Sequence, residues 1–196
     1  NTIGLDHTEF LGETIEAVAG EKAGIMKHQT PCIIGAQNFD SVQEVFESKA
    51  KQVGASLVQH GSFLDQYDPP ALKGKHQRSN INTALTTVKE LQERFPVTYA
   101  QINQGLLTTR WPARMQKLSS AAFGFDEKTS LWLDGGHNED AGRAIATHLK
   151  TLQKDGDVAV ILCMMKHKSP KSFASTFINQ CNQLYATQLP HEPASL

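Results

Sequence analysis

Leu131-Trp132-Leu133-Asp134-Gly135-Gly136-His137-Asn138 is the stretch on which the reading of the fold turns. Three apolar residues in the manner of a strand run into an acid, two glycines, a histidine and an asparagine. Ala141, Ile145, Leu149 and Leu152 then supply an apolar helical face. Beyond them Val158-Ala159-Val160-Ile161-Leu162 is a continuous apolar run, expected of a parallel strand covered on both faces. Phe173, Phe177, Ile178 and Cys181 mark a further helix, and Leu184 to Thr187 a weak strand. Strand, helix, strand and helix in that order predict a doubly wound or three-layer α/β domain.

The same alternation extends upstream. Glu13 to Lys22 reads as a helix, and Pro31-Cys32-Ile33-Ile34 as a short buried strand. A helix is expected from Asp40, a candidate N-cap, with Val42, Val45, Phe46 and Val53 on one face. Ala55-Ser56-Leu57-Val58 follows as a strand, and Asp65 to Lys75, with Pro69, Pro70 and Gly74, as a loop. Ile81, Ala84, Leu85, Val88, Leu91 and Phe95 give a helix from about Gln77 to Phe95, and Tyr99 to Leu107 a shorter one. Arg110-Trp111-Pro112-Ala113-Arg114 then reads as an interdomain connection, too short and aromatic for a flexible linker. The predicted domains are 1–112 and 113–196.

Composition narrows the function classes. A chain of 196 residues with 39% hydrophobic and 20% charged residues has the profile of a globular protein of one large or two small domains. A net charge of −1 without a Lys/Arg cluster argues against nucleic acid and anionic membranes as partners. No apolar run approaches the roughly 20 residues that span a bilayer, and no signal peptide is evident, so the cytoplasm is expected. Cys32, Cys163 and Cys181 are odd in number and widely spaced, which predicts buried reduced thiols rather than disulfides or a zinc site. Near the start, Ile3-Gly4-Leu5 reads as the end of a strand, and the chain as a fragment of a longer one, expected to be truncated at both ends.

Several residues are candidates for chemistry, each with a plain alternative. His7 follows an acid at the end of a strand, where α/β proteins bind ligands, or is a hydrogen-bonded structural histidine. Lys22, among small neighbours, is a site lysine or a surface lysine paired with a carboxylate. Asp134 either exposes its carboxylate at the sheet edge or belongs to a tight turn with Asn138 as helix N-cap. His76 and Asn80, four apart, share a helix face in binding or in capping. Arg114 either holds an anion bidentately or stabilises the domain junction.

Five motifs carry a resemblance in their order: Ile3 to Gly12, Glu21-Lys22-Ala23-Gly24-Ile25, His76-Gln77-Arg78-Ser79-Asn80, Trp111-Pro112-Ala113-Arg114 and Asp134 to Asn138. Together they resemble the folylpolyglutamate synthase/dihydrofolate synthase family of the Mur ligase superfamily, over nearly the whole chain. The resemblance implies the C-terminal part of a Mur-ligase-type central ATPase domain, followed by a Rossmann-like α/β domain that takes glutamate. It implies an ATP-dependent amide ligase: ATP phosphorylates a carboxylate of folate or dihydropteroate, and the amine of L-glutamate displaces phosphate from the acyl phosphate. ATP and Mg2+ are the implied cofactors, and a monomer the implied state.

By motif position, His7 resembles a magnesium ligand and Lys22 the lysine that carries a carbamate, an anionic oxygen ligand where an ammonium would repel the metal. Asn80 resembles the adenine contact, Arg114 the phosphate contact and Asp134 the ribose carboxylate. His137 resembles a residue near the phosphate or the incoming glutamate. Closure of the two domains would assemble the site and exclude water.

The sequence also departs from the family. Nothing in these residues reads Gly-x-x-Gly-Lys-Ser/Thr, the loop that cradles phosphates, so this polypeptide alone is expected to be inactive. A hairpin insertion is expected around Gly124 to Glu127. Cys163-Met164-Met165-Lys166-His167-Lys168-Ser169 replaces the family's glycine-led, Lys-Asp-containing turn, and Glu139 stands where proline is common. The alternatives are a catalytically dead nucleotide-binding remnant and another Mur-type amide ligase.

Overall fold

The computed structural model describes residues 2–5 and 8–195. They pack as two units, Asn1–Thr109 and Arg110–Leu196, each with its own core.

The first unit starts with a short helix α1 (Thr8–Leu11) and then α2 (Ile15–Ala23). Thr14 starts α2 by accepting a hydrogen bond from the Ala17 amide at 3.2 Å, which satisfies one of the amides that a helix start leaves open. Strand β1 (Pro31–Ile34), helix α3 (Asp40–Val53) and strand β2 (Ser56–Gln59) form a parallel β-α-β unit, with Pro31 opposite Ser56 and Ile34 opposite Gln59. Helix α3 ends at Gly54, whose φ of 71° lets its amide turn back to the Ala50 carbonyl. Val18, Ala19 and Ala23 of α2 meet Val42, Phe46 and Ala50 of α3 in the core, with Ile3, Met26 and Ile34. Removing side chains of the size of Val42 or Phe46 from water contributes about 1.5–3 kcal/mol each.

Asp40 is the first residue inside α3 rather than its cap. Phe39 occupies the N-cap without a side-chain hydrogen bond, and the Asp40 carboxylate stands where the helix dipole favours negative charge.

The rest of the unit is helical. A 3-10 turn (Leu64–Gln66), α4 (Lys75–Glu90) and α5 (Tyr99–Thr108) enclose Leu64, Ile81 and Leu85. The Asn82 side chain accepts from the amides of Phe63 and Leu64 at 3.0 and 2.9 Å, tying the turn to α4. A capping box between Thr98 and Gln101 starts α5. Helix α4 stops at Glu90, short of the expected Phe95, and Leu91 and Phe95 are exposed. Pro96 accounts for part of this, because a residue before proline is steered away from helical geometry.

The second unit opens with β3 (Gln116–Leu118), antiparallel to β4 (Leu131–Leu133). Residues 119–130 connect them through a 3-10 turn (Ala121–Phe123). Helix α6 (Glu139–Leu152) follows, then β5 (Ala159–Leu162), a 3-10 turn (Lys166–Lys168), α7 (Pro170–Ser175), another 3-10 turn (Ile178–Gln180) and β6 (Gln183–Ala186), parallel to β5. Ala146, Leu149, Val158, Leu162, Met164, Phe173 and Phe177 form its core. Fully buried Ser195 accepts from the Leu189 amide at 2.9 Å and donates to Glu192 O at 2.7 Å.

The described strands of this unit form two two-stranded sheets, β3–β4 and β5–β6. Two expectations for it are corrected. Among the described residues, strand β5 is covered on one face: Val160 and Leu162 face the core side while Ile161 is 73% exposed. The helix over Phe173 to Cys181 is broken into α7 and a 3-10 turn, although Phe173 and Phe177 still meet edge to face at 5.1 Å between ring centres. The three cysteines are free, and half-buried rather than buried. Partial burial raises the thiol pKa of Cys32 and Cys181. No helix among the described residues is long and apolar enough to cross a membrane.

Candidate functional site

Three of the candidate residues come together where β4 ends. Asp134 uses both carboxylate oxygens on backbone amides: Oδ2 accepts from Met115 and Oδ1 from Gly136, each at 2.8 Å. The Gly135 amide donates to the Ala113 carbonyl at 2.9 Å, and the Ala113 amide to Gln116 Oε1 at 3.0 Å. Two segments far apart in sequence, 113–116 and 134–136, are thereby stitched into one loop pair. Ala113 and Met115 have φ of 53° and 43°, a left-handed backbone that non-glycine residues adopt at a cost. The four hydrogen bonds hold that conformation and fix the position of Arg114 between them.

Arg114 itself is exposed and makes no hydrogen bond or ion pair among the described residues. Its guanidinium lies beside Gly135, where a Cβ would come within 3.6 Å of Nη1. Five N–H donors are thus carried on the loop that Asp134 holds, and the carboxylate keeps unused lone pairs, group types suited to phosphate and hydroxyl groups.

Asn138 caps α6 by accepting from the Ala141 amide at 3.0 Å, so the turn-and-cap reading of this motif holds together with the placement of Asp134. The half-buried His137 sets Nδ1 3.2 Å from the Gly135 carbonyl. Gly136 lets α6 approach: a Cβ there would lie 2.9 Å from Ala141 Cβ and 3.0 Å from both Asp134 Oδ1 and Ile145 Cδ1.

In the first unit, Lys22 is exposed in the last turn of α2 and makes no hydrogen bond or ion pair among the described residues. Asn80 is exposed on α4 and donates to Gln77 Oε1 at 3.4 Å. His76 lies one turn earlier on α4, on the face that the spacing predicts. His7 lies outside the described residues. No group of three or more His, Cys, Asp or Glu among the described residues could hold a metal ion. An exposed lysine fits magnesium only as a carbamate, since its ammonium repels the cation.

Sequence reasoning missed Trp132 and His148. Their rings meet edge to face with centres 4.8 Å apart. The signal was present, because His148 falls within the apolar stripe of Ala141, Ile145 and Leu152, an unusual position for a polar ring.

No family model matches the chain. Individual relatives do. It is 28% identical over 219 residues to the folylpolyglutamate synthase of Lacticaseibacillus casei, covering 99% of this chain and 49% of that protein. It is 26% identical over 172 residues to a probable dihydrofolate synthetase of Schizosaccharomyces pombe, covering 80% and 40%. Among solved structures, an FPGS-AMPPCP-folate complex matches with a TM-score of 0.78 at 25% identity, over 96% of this chain and 50% of that one. The chain is similar over most of its length to folylpolyglutamate synthases and dihydrofolate synthases. Its fold is the mixed α/β architecture of the Mur-ligase type seen in those enzymes. The chain spans about half the length of the family members it matches.

Proposed function

We propose that this chain is part of an ATP-dependent ligase that joins L-glutamate to folate or dihydropteroate through an acyl phosphate. The observation that carries this reading is the loop pair in which Asp134 ties Met115 to Gly136 and holds Arg114 beside it. A carboxylate with free lone pairs next to a guanidinium suits the ribose hydroxyls and phosphates of a nucleotide. The likeness to those synthases supplies the glutamate and pterin substrates.

In this reading Arg114 offsets charge on the transferring phosphoryl group, Asp134 accepts from the ribose, Asn80 contacts adenine, and His137 orients phosphate or glutamate. His7 and a carbamylated Lys22 would hold magnesium, which offsets phosphate charge when bound. The first unit is read as the C-terminal part of the central ATP-binding domain and the second as the start of the glutamate-ligase domain. The protein is taken to act as a cytoplasmic monomer.

The test is a glutamate-dependent phosphate-release assay on the full-length protein with ATP and either dihydropteroate or tetrahydrofolate. Lys22→Ala is expected to abolish turnover, and a short carboxylic acid to restore part of it; normal turnover in the unrescued variant would remove the carbamate role. Full activity in Arg114→Ala would remove the phosphate contact. Failure of both acceptors to support release would overturn the ligase reading.

A further inference from the structure

Arg114 sits between two residues whose backbone lies in the left-handed region, Ala113 at φ 53° and Met115 at φ 43°. Neither is a glycine, so negative φ is the easier conformation for both, and a flip on either side would re-aim the side chain between them. Hydrogen bonds to the peptide groups of these two residues oppose the flip. Met115 has one, its amide donating to Asp134 Oδ2 at 2.8 Å. Ala113 is held at both ends: its carbonyl accepts from the Gly135 amide at 2.9 Å, and its amide donates to Gln116 Oε1 at 3.0 Å.

Gln116 is the first residue of β3 and pairs with Leu133 of β4, so the strand ladder anchors its backbone. From there its half-buried side chain turns back three residues and closes the 113–116 turn on itself. Asp134 closes the same turn from the opposite strand, but in the nucleotide reading its carboxylate serves a ribose as well. Gln116 has no such second task in that reading.

We propose that Gln116 is a positioning residue for Arg114: its carboxamide oxygen holds Ala113 in the left-handed conformation and thereby sets where the guanidinium is presented. Without that acceptor the Ala113 amide, in a half-buried residue, loses its partner while the backbone stays strained, and rotation to negative φ relieves both costs. Arg114 then leaves its place beside Gly135, where Nη1 lies 3.6 Å from the position of an added Cβ.

The functional consequence rests on the phosphate reading of Arg114, and the positioning role is tested without it. Crystal structures of the full-length protein read the turn directly in Gln116→Met, which keeps the length and loses the acceptor, and in Gln116→Glu, which keeps an acceptor oxygen. Gln116→Met is expected to show negative φ at Ala113 and a displaced guanidinium, and Gln116→Glu the parent geometry. An unmoved Ala113 and Arg114 in Gln116→Met, or the same shift in both variants, would overturn the proposal. Glutamate-dependent phosphate release gives the second readout. In Gln116→Met kcat is expected to fall about tenfold, the scale of one lost hydrogen bond, with KM for the folate acceptor unchanged. Adding Gln116→Met to Arg114→Ala is expected to cost nothing more, because the brace acts through the guanidinium; a further loss in the double variant would overturn that route. Parent-like kcat in Arg114→Ala, or in a Gln116→Met protein whose guanidinium has moved, counts against the phosphate reading instead and leaves the crystallographic comparison to decide on Gln116.

Discussion

Gly136→Ala should damage the second unit far more than Gly135→Ala, although the two glycines are adjacent. At Gly136 the added carbon would meet Ala141 Cβ at 2.9 Å and Asp134 Oδ1 and Ile145 Cδ1 at 3.0 Å, where carbon contacts are at ease near about 3.5–4.0 Å. Ile145 can swing the end of its chain away. Ala141 cannot, being fixed in the first turn of α6, and Asp134 Oδ1 can retreat only by lengthening its 2.8 Å bond from the Gly136 amide. Overpacking of this kind costs about 1–3 kcal/mol, and weakening a hydrogen bond to a charged acceptor adds about 1.5 kcal/mol. The expected loss is about 2.5–4.5 kcal/mol, or roughly 10 °C or more in the melting temperature of a unit this small. At Gly135 the nearest atoms, of Ala113 and Arg114, are 3.5–3.6 Å away, and the cost should stay below about 1 kcal/mol. Urea unfolding followed by tryptophan fluorescence reads this unit alone, because Trp111 and Trp132 both belong to Arg110–Leu196. The reasoning fails if Gly136→Ala melts with the parent, or if the two substitutions cost the same.

Gly20→Ala and Gly105→Ala lie inside α2 and α5 with nothing within 4 Å of the new carbon, so each should gain about 0.5–1 kcal/mol in thermal unfolding followed by circular dichroism. Asn138→Ala removes the α6 cap and should cost about 1 kcal/mol in the fluorescence-detected urea melt, with Asn138→Asp largely retaining stability. The lowered pKa of folded His148 has a definite sign: above about pH 7.5 the ring is neutral in both states and contributes nothing. As pH falls through its unfolded value the unfolded chain takes up the proton first, so stability declines until the folded ring protonates too. The urea midpoint should therefore drop more between pH 7.5 and 5.5 in the parent than in His148→Gln, and equal drops would contradict it.

How far the sequence could be read varied with the kind of signal. Strand β1 begins and ends where Pro31-Cys32-Ile33-Ile34 predicts, and α6 follows its apolar spacing, because periodicity and turn residues act locally. The end of α4 was overread: Leu91 and Phe95 keep the helical period, yet they face solvent beyond the last helical residue. Apolar spacing shows what could be buried, not whether a partner surface meets it. Strand β5 was misread for the same reason, since its unbroken apolar run predicts two covered faces and only one is covered. At the site, Asp134, Gly136 and Asn138 were visible as a motif. Their link to Met115 was not, because hydrogen bonds across nineteen positions leave no periodic trace. His148 stands out as a polar ring in the apolar stripe of α6, but its contact with Trp132 spans too long a range to leave a periodic trace.

The bare side of the β5–β6 pair has a practical consequence for any study of this chain in solution. Ile161 stands opposite Tyr185 in the parallel register, and the two are 73% and 54% exposed, so a fully folded second unit displays an aliphatic and an aromatic side chain next to each other on a flat backbone. Such a surface attracts anilinonaphthalene sulfonate, the dye commonly used to detect loosened cores. Bright dye emission from this 196-residue chain would thus accompany tight packing of Phe173 and Phe177 behind the strands, and only the loss of near-ultraviolet circular dichroism would report that the core had come apart.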